Sequence, residues 1–100
     1  MPLFALIADD KPNGLAHRMA VRPEHLDYLK SIADKLVFAG PFLDENKEAC
    51  GSLVVIEAAD RAEADRMFAA DPYAINGVFR NSVVRPWSWG VNNPTGRGQS

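Results

Sequence analysis

Apolar positions along this chain come in short blocks, and the spacing within them switches between unbroken run and helical stripe. Leu3-Phe4-Ala5-Leu6-Ile7-Ala8 is continuous and too short for a free-standing helix. It ends at Asp9-Asp10-Lys11-Pro12-Asn13-Gly14, so it reads as a buried strand followed by a turn. Leu15 to Ala20, carrying His17 and Arg18, has the length of a helical turn or two. Leu26, Leu29, Ile32, Ala33 and Leu36 then recur at three- and four-residue spacing, the mark of an amphipathic helix facing a core. Pro23 suits the first turn of that helix, because its fixed φ favours entry and the N–H it lacks would be unpaired there anyway. Glu24 and Asp27 add negative charge near the positive end of the dipole. The helix is expected to begin at Pro23 and fade near Lys35.

Leu36-Val37-Phe38-Ala39 reads as a second strand stopped by Gly40-Pro41, and Asp44 to Glu48 as a charged loop. Gly51-Ser52-Leu53-Val54-Val55-Ile56-Glu57 is the clearest strand, β-branched and bounded by turn residues. Asp60-Arg61-Ala62-Glu63 matches the capping box and opens a second helix through Ala64, Met67, Phe68 and Ala69. Asp71-Pro72 is expected to end it, since the residue before proline is pushed out of the helical region. Tyr73 to Gly77 then serves as a connection and Val78 to Pro86 as the last strand. Trp87 to Ser100 is rich in Gly, Asn and Pro. The expected organisation is a domain over residues 1–88 and an arm over 89–100 that is partly disordered.

The order β-α-β-β-α-β is the ferredoxin-like α+β arrangement, a four-stranded antiparallel sheet with both helices on one face. Leu53-Val54-Val55-Ile56 is apolar on both sides of its strand, so the helix-free face needs a cover as well. A second copy of the chain is the simplest one, and a homodimer packed sheet to sheet is expected.

Composition narrows the function classes. One hundred residues, 47% apolar and 24% charged, make one ordinary globular domain. A net charge of −2 lacks the electrostatic footprint of a nucleic-acid binder, and neither Leu3–Ala8 nor Leu53–Glu57 presents an aromatic platform for RNA. No apolar run approaches the roughly 20 residues that span a bilayer, so no membrane role is expected. Met1-Pro2-Leu3-Phe4 has no basic lead, so a secretion signal is not expected either. Cys50 is the only cysteine, which excludes an internal disulfide and suits the cytoplasm.

Crossover handedness predicts which distant segments meet. The first helix starts at the end of the sheet where the first strand finishes, the second strand ends there, and the second helix returns there. Asp9-Asp10, His25, Gly40-Pro41, Gly51-Ser52, Asp71 and Tyr73 are expected to converge. His25 lies four residues before Leu29, at the margin of the buried stripe, and is the best chemical lead. Asp71 is an odd choice at a helix C-terminus, where its charge opposes the dipole, which favours a longer-range partner. Asp10 competes with it as the partner of His25.

These residues also carry a resemblance. Asp10-Lys11-Pro12-Asn13-Gly14-Leu15, Arg18-Met19-Ala20-Val21-Arg22-Pro23-Glu24-His25-Leu26, Ala39-Gly40-Pro41, Asp71-Pro72-Tyr73 with Gly77, and Arg85-Pro86-Trp87 occur in this order and spacing. Together they resemble the YciI-like (YCII-related) family from Leu3 to Trp87. The resemblance implies a ferredoxin-like fold in a dimeric α/β-barrel type of assembly, with a pocket holding a His and an Asp. Carried over, these are His25 and Asp71. A few relatives are linked to dehydrochlorination in aromatic degradation. The loop between the central strands is short here and the tail after Trp87 long, so the pocket lid and dimer edge are expected to differ.

A histidine poised by a carboxylate is suited to proton transfer near neutral pH. The leading expectation is a small enzyme, of lyase, isomerase or hydrolase type, using His25 and Asp71 on a small organic molecule, with aromatic and carboxylated compounds as the candidates. Asp10, Arg22, Ser52 and Tyr73 are candidate substrate contacts. Surface solvation is the commoner fate of residues such as Arg18 and Arg22. Ser52 lacks a Gly-x-Ser-x-Gly elbow, which argues against a serine hydrolase. His17, His25 and Cys50 match no zinc spacing, and no cofactor is implied. The competing expectation is a catalytically silent ligand-binding or accessory domain with the same pocket.

Overall fold

The computed structural model describes residues 1–94. The elements are β1 (Leu3–Asp10), α1 (Leu15–Ser31), β2 (Leu36–Leu43), β3 (Ala49–Glu57), α2 (Arg61–Ala69), the short α3 (Pro72–Ile75) and β4 (Phe79–Trp87). The strands form one antiparallel sheet in the order β2-β3-β1-β4. This is the ferredoxin-like arrangement expected from the hydrophobic pattern, with α3 added before the last strand. No helix among the described residues is long and apolar enough to cross a membrane.

Three boundaries differ from expectation, each for a physical reason. The first helix does not begin at Pro23: α1 starts at Leu15 and carries Pro23 inside it. Arg22, Pro23 and Glu24 are exposed, so the proline lies on the solvent side. The carbonyl it leaves without a donor, four residues back at Met19, belongs to a residue 51% exposed, where water can replace the lost bond. Gly40-Pro41 does not stop β2, which runs on to Leu43 with Pro41 opposite Ser52. β2 is an edge strand, the place in a sheet where a missing N–H costs no ladder bond. Finally, α2 ends at Ala69, and Asp71-Pro72 opens α3 where a plain connection was expected.

The strand period sets two faces. Phe4, Leu6 and Ala8 of β1 and Val54 and Ile56 of β3 face inward, where Ala64 and Phe68 of α2 close the core. The capping box at the start of α2 forms: Asp60 accepts from the Glu63 N–H at 2.8 Å, and Glu63 accepts from Ala59 N–H at 3.2 Å. Tyr28 ties α1 to α2 by donating to the Met67 carbonyl at 2.6 Å.

The opposite face explains why β3 is apolar on both sides. Leu3, Ala5 and Val55 are buried there beneath Val37, Phe38, Leu53, Trp87 and Trp89. Trp87 and Trp89 meet edge-on, 5.0 Å between centroids, and both meet Phe38. Part of the cover assigned in expectation to a second copy therefore comes from the chain itself, including Trp89 of the expected arm. The rest of this face stays open, with Ile7, Phe42 and Val83 at 38%, 38% and 54% exposed. Residues 95–100 of the expected arm lie outside the described residues.

Candidate active site

Among those described, the polar and charged residues buried as a whole are Arg18, His25, Ser52 and Asp71, and they gather in one region. Charged groups are almost never buried unless paired. Each of these has a partner, and the partners define the site.

α1 supplies two of them. Arg18 and His25 are seven residues apart, two turns on one helix face, with Val21 between them. This face packs on α3 through Val21, Tyr73 and Val78. Of the stripe expected to be the core face, Ile32 and Leu36 do pack on the core. Leu26 and Leu29 are only half-buried and line a cavity of about 190 Å³ between α1 and the β2–β3 pair.

Asp71 is fixed by its neighbour. The proline that follows excludes the helical region, and Asp71 sits at φ −65°, ψ 130°. There it caps α3, accepting from the Tyr73 N–H at 2.9 Å. Its charge thus lies at the start of a helix, so the expected penalty at a helix C-terminus does not arise, and the residue has a local role after all. The same carboxylate meets Nδ1 of His25 at 2.9 and 3.0 Å. A carboxylate only accepts, so Nδ1 carries the hydrogen, and in the neutral imidazole the lone pair is then on Nε2. The Tyr73 ring stacks on the imidazole, 3.9 Å between centroids and 12° from parallel. Burial pushes the Tyr73 phenol above its ordinary value, with Arg18 and Arg22 pulling against that shift.

Asp10 does not compete for His25. It takes Arg18, whose Nη1 lies 3.1 Å from each carboxylate oxygen, while Nη2 donates to Ser52 Oγ at 2.9 Å. The pleat explains the convergence: Asp10 follows Ala8 on the inward side of β1, and Ala8 stands opposite Ser52. Arg18 and Asp10 are almost fully enclosed, at 6% and 4% side-chain exposure. Such a pair is weak evidence for stability, because desolvation of both charges offsets their attraction.

The cavity is lined by His25, Tyr73, Ser52 and Arg18, with Gly40-Pro41 on the β2 side. Arg22 is exposed and lines it too, which puts it at the rim. The expected convergence of His25, Gly40-Pro41, Ser52, Asp71 and Tyr73 is therefore present, and Asp10 joins through Arg18. Asp9 does not join, being exposed on the other side of the pleat. Arg18 is the residue that reasoning from the sequence undervalued. Its signal was its distance from His25, since seven residues put both on one helix face.

The model of the YCII-related domain matches residues 2–88. Protein YciI of Escherichia coli O6:H1 is 34% identical over 93 residues, covering 85% of this chain and 95% of its own. An uncharacterized protein of Haemophilus influenzae is 35% identical over 92 residues, covering 84% and 94%. Among solved structures, the 5-chloro-2-hydroxyhydroquinone dehydrochlorinase TftG of Burkholderia phenoliruptrix AC1100 is similar, with TM-score 0.80 and 29% identity, over 88% of this chain and 95% of that one. It was solved in complex with 2,5-dihydroxybenzoquinone. An antibiotic biosynthesis monooxygenase shares the fold at TM-score 0.56 and 17% identity, over 89% and 98% of the two chains. With the domain model matched from one end of the sheet to the other and relatives a third identical over nearly their whole length, this chain belongs to the YCII-related family.

Proposed function

We propose that this protein is a small enzyme that moves a proton on a compact, planar organic molecule, with His25 as the base and Asp71 as the carboxylate that orients it. The observation that carries the reading is Nδ1 of His25 held 2.9 Å from Asp71 while the same ring lines a cavity of about 190 Å³. Nε2 takes a proton from the substrate, and the electron pair left behind drives loss of a leaving group or a shift of a double bond. Asp71 stabilises the imidazolium that forms. Leu26, Leu29 and Val54 give the cavity an apolar lining that suits a single ring, and Arg22 at the rim suits a negative charge on it. Support comes from TftG, a dehydrochlorinase of an aromatic compound that shares this fold at 29% identity.

The working form is a homodimer joined through the open part of the outer sheet face, where Ile7, Phe42 and Val83 are exposed. A lone cysteine suits a reducing compartment, and the cytoplasm is the proposed location.

The test is turnover. Wild-type protein is given 5-chloro-2-hydroxyhydroquinone and a panel of hydroxylated benzenes and quinones, with chloride release and ultraviolet absorbance followed. A His25→Ala variant should keep its circular dichroism and lose roughly 10²–10⁴-fold in rate. A variant as active as wild type sinks the assignment of His25. Binding without turnover of any compound favours an accessory ligand-binding domain.

A further inference from the structure

Arg18 is the most extensively bonded side chain of the cavity wall, and proton transfer by His25 does not require it. Its guanidinium stands 4.5 Å from the centroid of the Tyr73 ring. His25 stands 3.9 Å from the same centroid. Both groups therefore pack against Tyr73, Arg18 as a cation and His25 as a stacked ring. Arg18 is 5% exposed and its charge is matched by Asp10.

Its effect on Ser52 follows from donor chemistry. Guanidinium has donors and no acceptor, so the Ser52 oxygen must accept from Nη2. The hydroxyl hydrogen of Ser52 is thereby turned away from Arg18, and nothing among the described residues accepts it. Ser52 is 2% exposed, and the space it does face is the cavity it shares with His25.

We propose that Arg18, held by Asp10, is a positioning residue that makes Ser52 a fixed hydrogen-bond donor to a ligand oxygen lying in reach of His25. This deepens the reading above and rests on its choice of cavity. A base and a donor facing one small space select a substrate class: a planar molecule with a carbonyl oxygen conjugated to the carbon that loses its proton. The proton passes to Nε2 of His25, and the electron pair it leaves spreads onto that oxygen. Ser52 donates to the oxygen as its charge grows, and no bond to the protein forms. A neutral ligand without such an oxygen has no partner for Ser52.

Binding tests this without turnover. Isothermal titration calorimetry with 2,5-dihydroxybenzoquinone and with 4-nitrophenolate is run on wild type, Ser52→Ala, Ser52→Thr, Arg18→Lys and the Ser52→Ala/Arg18→Lys double variant. Loss of one such hydrogen bond weakens binding roughly tenfold. Ser52→Ala and Arg18→Lys should each show that loss, the double variant should be no worse than either single, and Ser52→Thr should restore binding. Lysine keeps the charge beside Asp10 and lacks the fork that reaches Ser52 as well, so its fold is retained. The proposal is overturned if Arg18→Lys binds like wild type, if the two losses multiply, or if wild type binds neither probe. The two ideas fail separately. The binding pattern without turnover removes the enzyme reading alone, whereas turnover that needs His25 and ignores Ser52 and Arg18 removes this inference alone.

Discussion

Replacing Asp71 separates its two tasks, because the structure gives them different requirements. The carboxylate caps α3 through the Tyr73 N–H and holds Nδ1 of His25, and the residue is 3% exposed. Asp71→Ala removes both. Loss of an N-cap costs about 1 kcal/mol, and a buried imidazole N–H left without an acceptor costs about 1–3 kcal/mol more. The expected destabilisation is about 2–4 kcal/mol, a large share of the roughly 5–15 kcal/mol that holds a domain of this size. Asp71→Asn keeps an oxygen at the same place, and asparagine caps helices as well as aspartate does. It loses only the charge assistance to His25 and should cost no more than about 1 kcal/mol. In thermal melts these figures become a fall of about 8–32 °C for alanine and under about 8 °C for asparagine. Turnover should not follow stability, with Asp71→Asn as impaired as Asp71→Ala. Equal destabilisation by the two variants would refute the assignment of the cap, and an Asp71→Ala protein within about 0.5 kcal/mol of wild type would refute the buried pair as well.

Other outcomes follow from the same structure. Burial raises the Tyr73 phenol, so its contribution to stability is complete below pH of about 10 and is lost as pH climbs through the folded-state value. Urea midpoints from pH 9 to 11.5 should therefore fall less for Tyr73→Phe than for wild type, and parallel curves would contradict this. A Cβ at Gly51 would stand 2.4 Å from the Ala8 carbonyl oxygen, so Gly51→Ala must shift strand backbone beside Ser52. It is expected to cost about 1–3 kcal/mol and to weaken ligand binding, checked by denaturation and calorimetry. Val83 is 54% exposed on the open sheet face. Sedimentation equilibrium at micromolar concentration should give a dimer for wild type and a monomer for Val83→Asp, and a monomeric wild type removes the proposed interface.

The strand order was readable because β3 is rich in β-branched residues and α2 opens on a capping box, both strong local signals. What escaped depends on three-dimensional context. Pro23 has the same local signature inside a helix as at its start, and only the exposure of its side of α1 makes the interior position tolerable. Pro41 looks like a stop until β2 is known to be an edge strand. Asp71-Pro72 is a stop signal for one helix and a start signal for the next, and the chain uses both meanings. His25 was found as a polar residue beside an apolar stripe. Arg18 was passed over because an arginine is taken to be at the surface until its partner is found, and Asp10 meets it only after β1 and α1 have packed. The stripe itself misled in one respect: Leu26 and Leu29 face a cavity where a core was expected.

The central claim is that Asp71 holds His25 with Nδ1 protonated, leaving the Nε2 lone pair to a ligand in the cavity. Long-range ¹H–¹⁵N correlation spectra of His25, recorded at alkaline pH with and without 2,5-dihydroxybenzoquinone, test it directly. The account predicts the Nδ1–H tautomer in the free protein, and on addition of the ligand a shift at Nε2 with little change at Nδ1. An Nε2–H tautomer, or a His25 spectrum that the ligand leaves unmoved, would contradict it and return His25 to a structural role.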